Sequence, residues 1–171
     1  LPALKKIEGA TLHAVLSNSG ARGKSYAKRF GASYATSDYQ ALLNDSDIDA
    51  VIIASRHKEH AAQAIEALNA GKHVFIEKPM AVTVDECRAI SAAVASSGKQ
   101  LMVGFNRRFA PYYVEMKKNL AGRTSPIVIS TRMNSPGIEN GWAADASQGG
   151  VVLGEGCHFV DLMYWLLESE P

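Results

Sequence analysis

Three stretches of this chain place polar and basic side chains directly after an apolar run: Ser55-Arg56-His57-Lys58-Glu59-His60, Glu77-Lys78-Pro79 and Phe105-Asn106-Arg107-Arg108. A fourth, nearer the end, sets His158, Asp161, Leu162 and Trp165 at i, i+3, i+4 and i+7, so that on a helix two polar groups head one apolar stripe. Groups of these types bind anions, hold hydroxyls or move protons, and in open α/β sheets ligands bind beyond the carboxyl ends of the strands. Taken singly each stretch is weak, because a basic loop at a strand end is as often a solvated surface. His60 alone reads more readily as a surface residue at a helix start than as a ligand. Their ordered succession is the stronger signal. No metal centre is expected: His57, His60, His73 and His158 fall on different elements, His13 lies in a strand, and no pair has the i, i+4 spacing of a helical metal motif. Cys87 and Cys157 form no CxxC pair and are expected to be buried free thiols.

The elements that must position these groups alternate. A strand is expected over Thr11 to Leu16, then a polar turn Ser17-Asn18-Ser19-Gly20 and a helix ending near Phe30-Gly31. A short strand follows at Ser33 to Thr36, and Asp38 can cap a helix carrying Tyr39, Leu42 and Leu43. Asp49 to Ala54 is a continuous apolar run with β-branched residues, the pattern of a strand buried on both faces of a parallel sheet. A helix from Lys58 to Ala70 stops at Gly71, and the strand His73 to Glu77 ends at Lys78-Pro79. Thr83 and Glu86 make a capping box opening a helix to Ser97, Gly98 closes it, and Leu101 to Gly104 is the next strand. Strands separated by helices indicate a right-handed, doubly wound α/β fold with a parallel sheet. After Pro111 the pattern changes to a helix from Tyr112 to Leu120, a strand from Ile127 to Met133, a long irregular loop to Gly150 and a helix from Glu155 to Leu167.

A length of 171 residues suffices for one ordinary domain, or one domain and part of a second. Hydrophobic residues make up 47% and charged residues 20%, with both signs interleaved and a net charge of +1, which describes a globular chain without a nucleic-acid partner. No apolar run reaches the ~18 residues that span a bilayer, so no membrane partner is expected. The opening Leu1-Pro2-Ala3-Leu4-Lys5-Lys6 is not ordered as a signal peptide, and a cytoplasmic location is the expectation.

The run Ala70-Gly71-Lys72-His73-Val74 leading into Glu77-Lys78-Pro79 is preceded by Ala54 to His60. It is followed by Val103-Gly104-Phe105-Asn106-Arg107-Arg108-Phe109, and by Gly149-Gly150 ahead of His158-Phe159-Val160-Asp161-Leu162. In this order the motifs resemble the glucose-fructose oxidoreductase, inositol dehydrogenase and rhizopine catabolism family of oxidoreductases, over essentially the whole chain. The wording Gly154-Glu155-Gly156-Cys157-His158 looks most like bacterial members fused to, or encoded beside, a zinc-type alcohol dehydrogenase module. The resemblance implies a partial dinucleotide-binding, Rossmann-like domain over residues 1–110 and the beginning of an α+β substrate and oligomerisation domain over 111–171. It implies hydride transfer between NADP or NAD and the hydroxyl of a sugar, nucleotide sugar or cyclitol. Lys78 would stand beside the reacting carbon, where an ammonium polarises the developing oxyanion and partial desolvation eases proton loss. Lys78-Pro79 is a candidate cis peptide. His158 would be the general acid or base, and Asp161 would orient it or the substrate. Cofactor contacts are expected from Ser17, Asn18, Arg22, Ala54, Ser55, His60, Glu77, Lys78, Pro79, Asn106 and Arg107. Ser17 and Asn18, with Arg22 nearby, stand where an acidic residue would accept a ribose 2′-hydroxyl, which favours NADP over NAD.

The chain departs from the family pattern twice. Many catalytic members carry an aspartate four residues before the histidine, whereas this chain has Gly154 there and Glu155 one place later. One residue on a helix turns a side chain by about 100°, so Glu155 is not equivalent to that aspartate by position alone, which leaves substrate class and activity open. The Gly-rich, phosphate-cradling turn after a first strand is also missing, since Gly20-Ala21-Arg22-Gly23 follows what the resemblance makes the second strand. In the order 3-2-1-4-5-6 the lost strand is central, so a split sheet is expected, with unpaired edges at the Leu12 and Val51 strands. Such edges invite each other, an exchanged strand or a homo-oligomer, and the chain reads as a fragment of a longer polypeptide. The alternatives are a non-catalytic dinucleotide- or sugar-sensing relative, or an interaction module.

Overall fold

In the computed structural model, residues 2–134, 141 and 145–168 are described. The first unit is β1 (Ala14–Leu16), α1 (Gly20–Phe30) and β2 (Tyr34–Thr36), followed by the short helix α2 (Tyr39–Leu43). The Ser19 hydroxyl caps α1 by accepting from the Arg22 amide, and Gly31 ends it at φ 78°, a left-handed conformation that costs glycine no Cβ clash. Asp38 caps α2 in the expected way, its carboxylate accepting from Ala41 N. The second unit is β3 (Ala50–Ile53), α3 (His57–Asn69), β4 (His73–Ile76), α4 (Val84–Ser97) and β5 (Leu101–Val103). The Thr83 and Glu86 capping box is formed in both directions.

All strands are parallel. β1 pairs with β2, and β3, β4 and β5 form a separate sheet in that order, with Val51 opposite Val74 and Val74 opposite Leu101. The expected split is present: β1 and β3 do not pair with each other, and each has a single strand neighbour among the described residues. α3 and α4 pack on each other and cover one face of the larger sheet, so Val51, Ile53, Val74 and Ile76 join Ala64, Ala67, Leu68 and Ile90 in the core. Three alanines along α3, at positions 61, 64 and 67, are all but inaccessible and let the helix lie close to its neighbours.

Several expectations are corrected. The β3 strand is buried on one face only, because no described helix covers the other and Ile52 and Met102 are each about half exposed there. The first strand is three residues shorter than the apolar run: the His13 carbonyl still accepts from Ser33 N, but Thr11 to His13 have no strand partner in register. Ile127 to Met133 is not a strand, since no described strand lies beside it to complete a ladder, and Val128 is 94% exposed. The loop expected up to Gly150 falls partly outside the described residues. The last helix begins as a π-helical turn, Val152–Gly156, before α6 (Cys157–Leu167), and α5 (Pro111–Leu120) packs against α6. Both cysteines are free, as expected, but only half-buried.

Leu68 is fully buried between α3 and its neighbours. Leu68→Ala should lower unfolding free energy by about 2–5 kcal/mol, whereas Val128→Ala should change it by less than about 0.5 kcal/mol, both read from urea denaturation.

Candidate functional site

The loops that leave β4 and β5 are fixed by backbone bonds running one residue past the strands. Glu77 N donates to Ile53 O at 2.9 Å and Gly104 N to Ile76 O at 2.8 Å. His60, in the first turn of α3, ties the loops after β3 and β4 together: Nδ1 lies 2.7 Å from Pro79 O and Nε2 3.3 Å from Ser55 O. At 1% exposure His60 is not the surface residue its local sequence suggests, and both ring nitrogens face backbone carbonyls. The Lys78-Pro79 peptide is cis, as expected.

From this loop the Lys78 ammonium reaches the segment that precedes α6. It donates to the Gly154 carbonyl and to Glu155 Oε1, the latter at 3.1 Å. The residue at 154 thus contributes a backbone oxygen, and the carboxylate comes from its neighbour. The π-helical turn explains how, because an i→i+5 turn spaces residues differently from an α-helix and re-aims successive groups. Gly154 lies close against His57: a Cβ there would come 3.3 Å from His57 Cε1, tighter than ordinary contact, so the ring would have to give by a few tenths of an ångström. His57 is itself buried and its Nδ1 lies 2.8 Å from Gln148 O, so the ring is pinned between the start of α3 and the turn ahead of the π-helical segment. Gly149, at φ 85°, allows that turn to pass over Leu153, whose Cδ2 a Cβ would meet at 2.4 Å.

His158 follows on the first turn of α6. It is 6% exposed, packs edge-on against Phe105 at 6.3 Å between centroids, and its Nδ1 is buried with no hydrogen-bond partner among the described residues. Burial, reinforced by the Lys78 and Arg107 charges, holds its pKa below the usual imidazole value; burial does the same for His57. Asp161 does not turn to His158. Arg108 takes its carboxylate with both Nε, at 2.7 Å, and Nη2, and this bidentate pair braces α6 against the Asn106–Phe109 turn that follows β5. Arg107, next in sequence, stacks 4.2 Å over the Phe159 ring with Nη2 3.9 Å from Glu155 Oε2. Lys78, Glu155, His158, Arg107 and Arg108 with Asp161 therefore meet where the strand ends face the start of α6.

The other expected cofactor contacts are distributed along the same strand ends. Ala54 and Ser55 are exposed after β3, with the Ser55 hydroxyl donating to Gln63 Oε1 at 2.7 Å. Glu77 and Asn106 are exposed after β4 and β5, and Glu77 packs against Gly104, where a Cβ would come 3.3 Å from its Oε2. Ser17, Asn18 and Arg22 lie at the carboxyl end of β1, on the smaller sheet. The hydroxyls, amide and guanidinium of this set suit ribose and phosphate oxygens, so the residues present fit a dinucleotide. Sequence reasoning missed His57, Gln148 and Phe159. Position 57 carried a signal in its histidine, but nothing in the sequence shows that Gln148 and Phe159 meet it or Arg107. A separate polar cluster sits at the amino end of β1. There His13, Asp45 and Asp47 bring ligand-type atoms within 4.8 Å, and Asp45 already accepts from Tyr34 at 2.7 Å, pushing that phenol up to about 12.

With this geometry in hand, the comparisons are specific. Residues 1–105 match the family model described as an oxidoreductase family with an NAD-binding Rossmann fold. An oxidoreductase of Bacillus subtilis is 41% identical over 114 residues, covering 67% of this chain and 33% of its own length. Inositol 2-dehydrogenase 2 of Saccharopolyspora erythraea is 32% identical over 166 residues, covering 96% of this chain and 48% of its own. A protein of gentamicin A biosynthesis, solved in complex with NAD, superposes with a TM-score of 0.85 at 25% identity, covering 97% of this chain and 49% of that one. The chain belongs to the glucose-fructose oxidoreductase, inositol dehydrogenase and rhizopine catabolism (Gfo/Idh/MocA) family of oxidoreductases. It spans about a third to a half of the length of the curated relatives it matches.

Two outcomes follow from the site. Arg108→Met leaves the Asp161 carboxylate, 7% exposed, without its partner. The loss should be about 2–3 kcal/mol in urea denaturation, below the ~3–5 kcal/mol of a fully buried pair because Arg108 is 37% exposed. The ring-proton NMR titrations of His57 and His158 should have midpoints below 6.5. Since the folded state then binds fewer protons than the unfolded one, these two residues lower stability as pH falls from about 6.5 through their folded-state pKa values.

Proposed function

We propose that the whole protein is a nicotinamide-dependent dehydrogenase that oxidises a carbinol of a sugar, nucleotide sugar or cyclitol, or reduces the corresponding ketone. The observation that carries the reading is the convergence of Lys78, Glu155 and His158 at the carboxyl ends of β3 to β5. A nicotinamide dinucleotide would lie along those ends, held by Ser17, Asn18 and Arg22 at its ribose and by Ala54, Ser55, Glu77, Pro79 and Asn106 further along, and it supplies the hydride acceptor. Lys78 then holds the substrate hydroxyl, while Glu155 fixes the direction of the ammonium. His158, kept neutral by burial, has a lone pair to take the hydroxyl proton as the C–H bond transfers its hydride. In the reverse direction the same imidazole, once protonated, returns it. Support for the substrate class comes from relatives named inositol 2-dehydrogenases, and for the cofactor from the NAD complex of a similar fold.

The same reading takes residues 1–110 as the dinucleotide unit and 111–171 as the start of the substrate unit. It has a further strand, from this chain or a neighbouring copy, fill the open edges of β1 and β3, with the protein a cytoplasmic homo-oligomer. Arg22 favours NADP through a ribose 2′-phosphate. No described helix is long and apolar enough to cross a membrane.

The test is the 340 nm absorbance of the whole protein with NAD or NADP and a panel of cyclitols and sugars. Turnover is expected, and Lys78→Met should lower kcat by about 10²- to 10⁴-fold, the usual worth of a positioned acid–base or polarising group. Cofactor binding without turnover of any carbinol would instead support a sensing relative, and no cofactor binding by folded protein would leave an interaction module.

A further inference from the structure

Three cations and two anions stand around His158: Lys78, Arg107 and Arg108, and Glu155 and Asp161. Lys78 is matched by Glu155, and Arg108 by Asp161. Arg107 is the one left over: among the described residues none of its side-chain N–H groups has a hydrogen-bond acceptor, and the 3.9 Å approach to Glu155 Oε2 is an ion-pair contact too long for a hydrogen bond. This is not a solvated surface arginine, since its side chain is 26% exposed. Stacking on Phe159 fixes the plane of the guanidinium and covers one face, which leaves the N–H edge as the part still able to bind. A partly buried guanidinium whose donors meet no acceptor among the described residues can take a bidentate carboxylate or phosphate. The charge is felt at the proton-handling residue, because Arg107 contributes to holding His158 neutral.

We propose that Arg107 is a clamp for an anionic group of the substrate, so that the site takes an acidic sugar or cyclitol derivative, one bearing a carboxylate or phosphate, in preference to its neutral counterpart. This rests on the dehydrogenase reading for the identity of the site but is testable apart from it. The dinucleotide's own phosphates are the other source of such an anion. Arg107 stands beside Glu155 and His158, where the carbinol is handled, and this assigns it to the substrate.

The experiment is calorimetry on the whole protein loaded with NAD or NADP, titrated with D-glucose against D-glucuronate and with myo-inositol against a myo-inositol monophosphate. At low salt at least one acid should bind about tenfold or more tightly than its neutral partner, the scale of a charge-assisted bidentate contact. Arg107→Met should bring that ratio close to one, and Arg107→Lys should restore part of it. If Arg107→Met does not fold, the wild-type ratio read against ionic strength decides: it should shrink as salt screens the contact. Equal binding of acid and neutral partner, or failure of every acid to bind, overturns the proposal. So does a ratio that survives Arg107→Met while the affinity for the dinucleotide falls, which assigns Arg107 to the cofactor. An acid preference without any turnover would sink the dehydrogenase reading alone, and turnover without an acid preference would sink the clamp alone.

Discussion

Everything in the site depends on one short connection, the Lys78 ammonium bound to the Gly154 carbonyl and the Glu155 carboxylate. It joins residues 76 positions apart or more, on two parts of the chain that the local sequence patterns keep separate. On one side the lysine is delivered by the ladder of β3, β4 and β5 and by His60, which bonds the loops on either side of it. On the other side the acceptors are delivered by a π-helical turn seated against His57. Neither side holds the pair without the other.

The surrounding contacts act as braces for that connection. Arg108 and Asp161 fix α6 to the turn after β5, and His57 with Gln148 fixes the turn before the π-helical segment to the start of α3. With α6 held at two points, His158 is left buried, neutral and edge-on to Phe105, its pKa set by its surroundings rather than by a carboxylate partner. The aspartate one turn away is a structural anchor. The lowered pKa of this imidazole therefore follows first from burial and then from the Lys78 and Arg107 charges.

Much of this was legible in the sequence because it is locally encoded. The capping box at Thr83, the glycine stops at Gly31 and Gly98, and the apolar strands at 50–53 and 73–76 follow from residue types within a few positions of each other. The motif Glu77-Lys78-Pro79 marked the lysine and its cis peptide, and Glu155 was readable as a carboxylate near the expected place. The failures are all matters of partners. Ile127 to Met133 has the composition of a strand, but a ladder needs a neighbour. The β3 run looks buried on both faces, yet Ile52 shows that burial of the second face requires a covering layer. His60 looks like a surface residue because nothing nearby in sequence reveals the two carbonyls it meets. Helical spacing sets Asp161 one turn from His158, and only the fold shows that Arg108 takes its carboxylate. At position 154 the sequence leaves open what stands in for the aspartate; in the fold Lys78 meets the Gly154 carbonyl and the Glu155 carboxylate.

A double-mutant cycle on Lys78→Met and Glu155→Gln in the whole protein, read in kcat/KM of the proposed dehydrogenase activity, tests this account most directly. If the pair is the connection on which the site depends, the two substitutions are strongly non-additive, with an interaction energy of about 1–3 kcal/mol and a double variant little worse than the worse single one. Additive effects, within about 0.5 kcal/mol, would mean that the two side chains act independently and that the site is not organised around their contact.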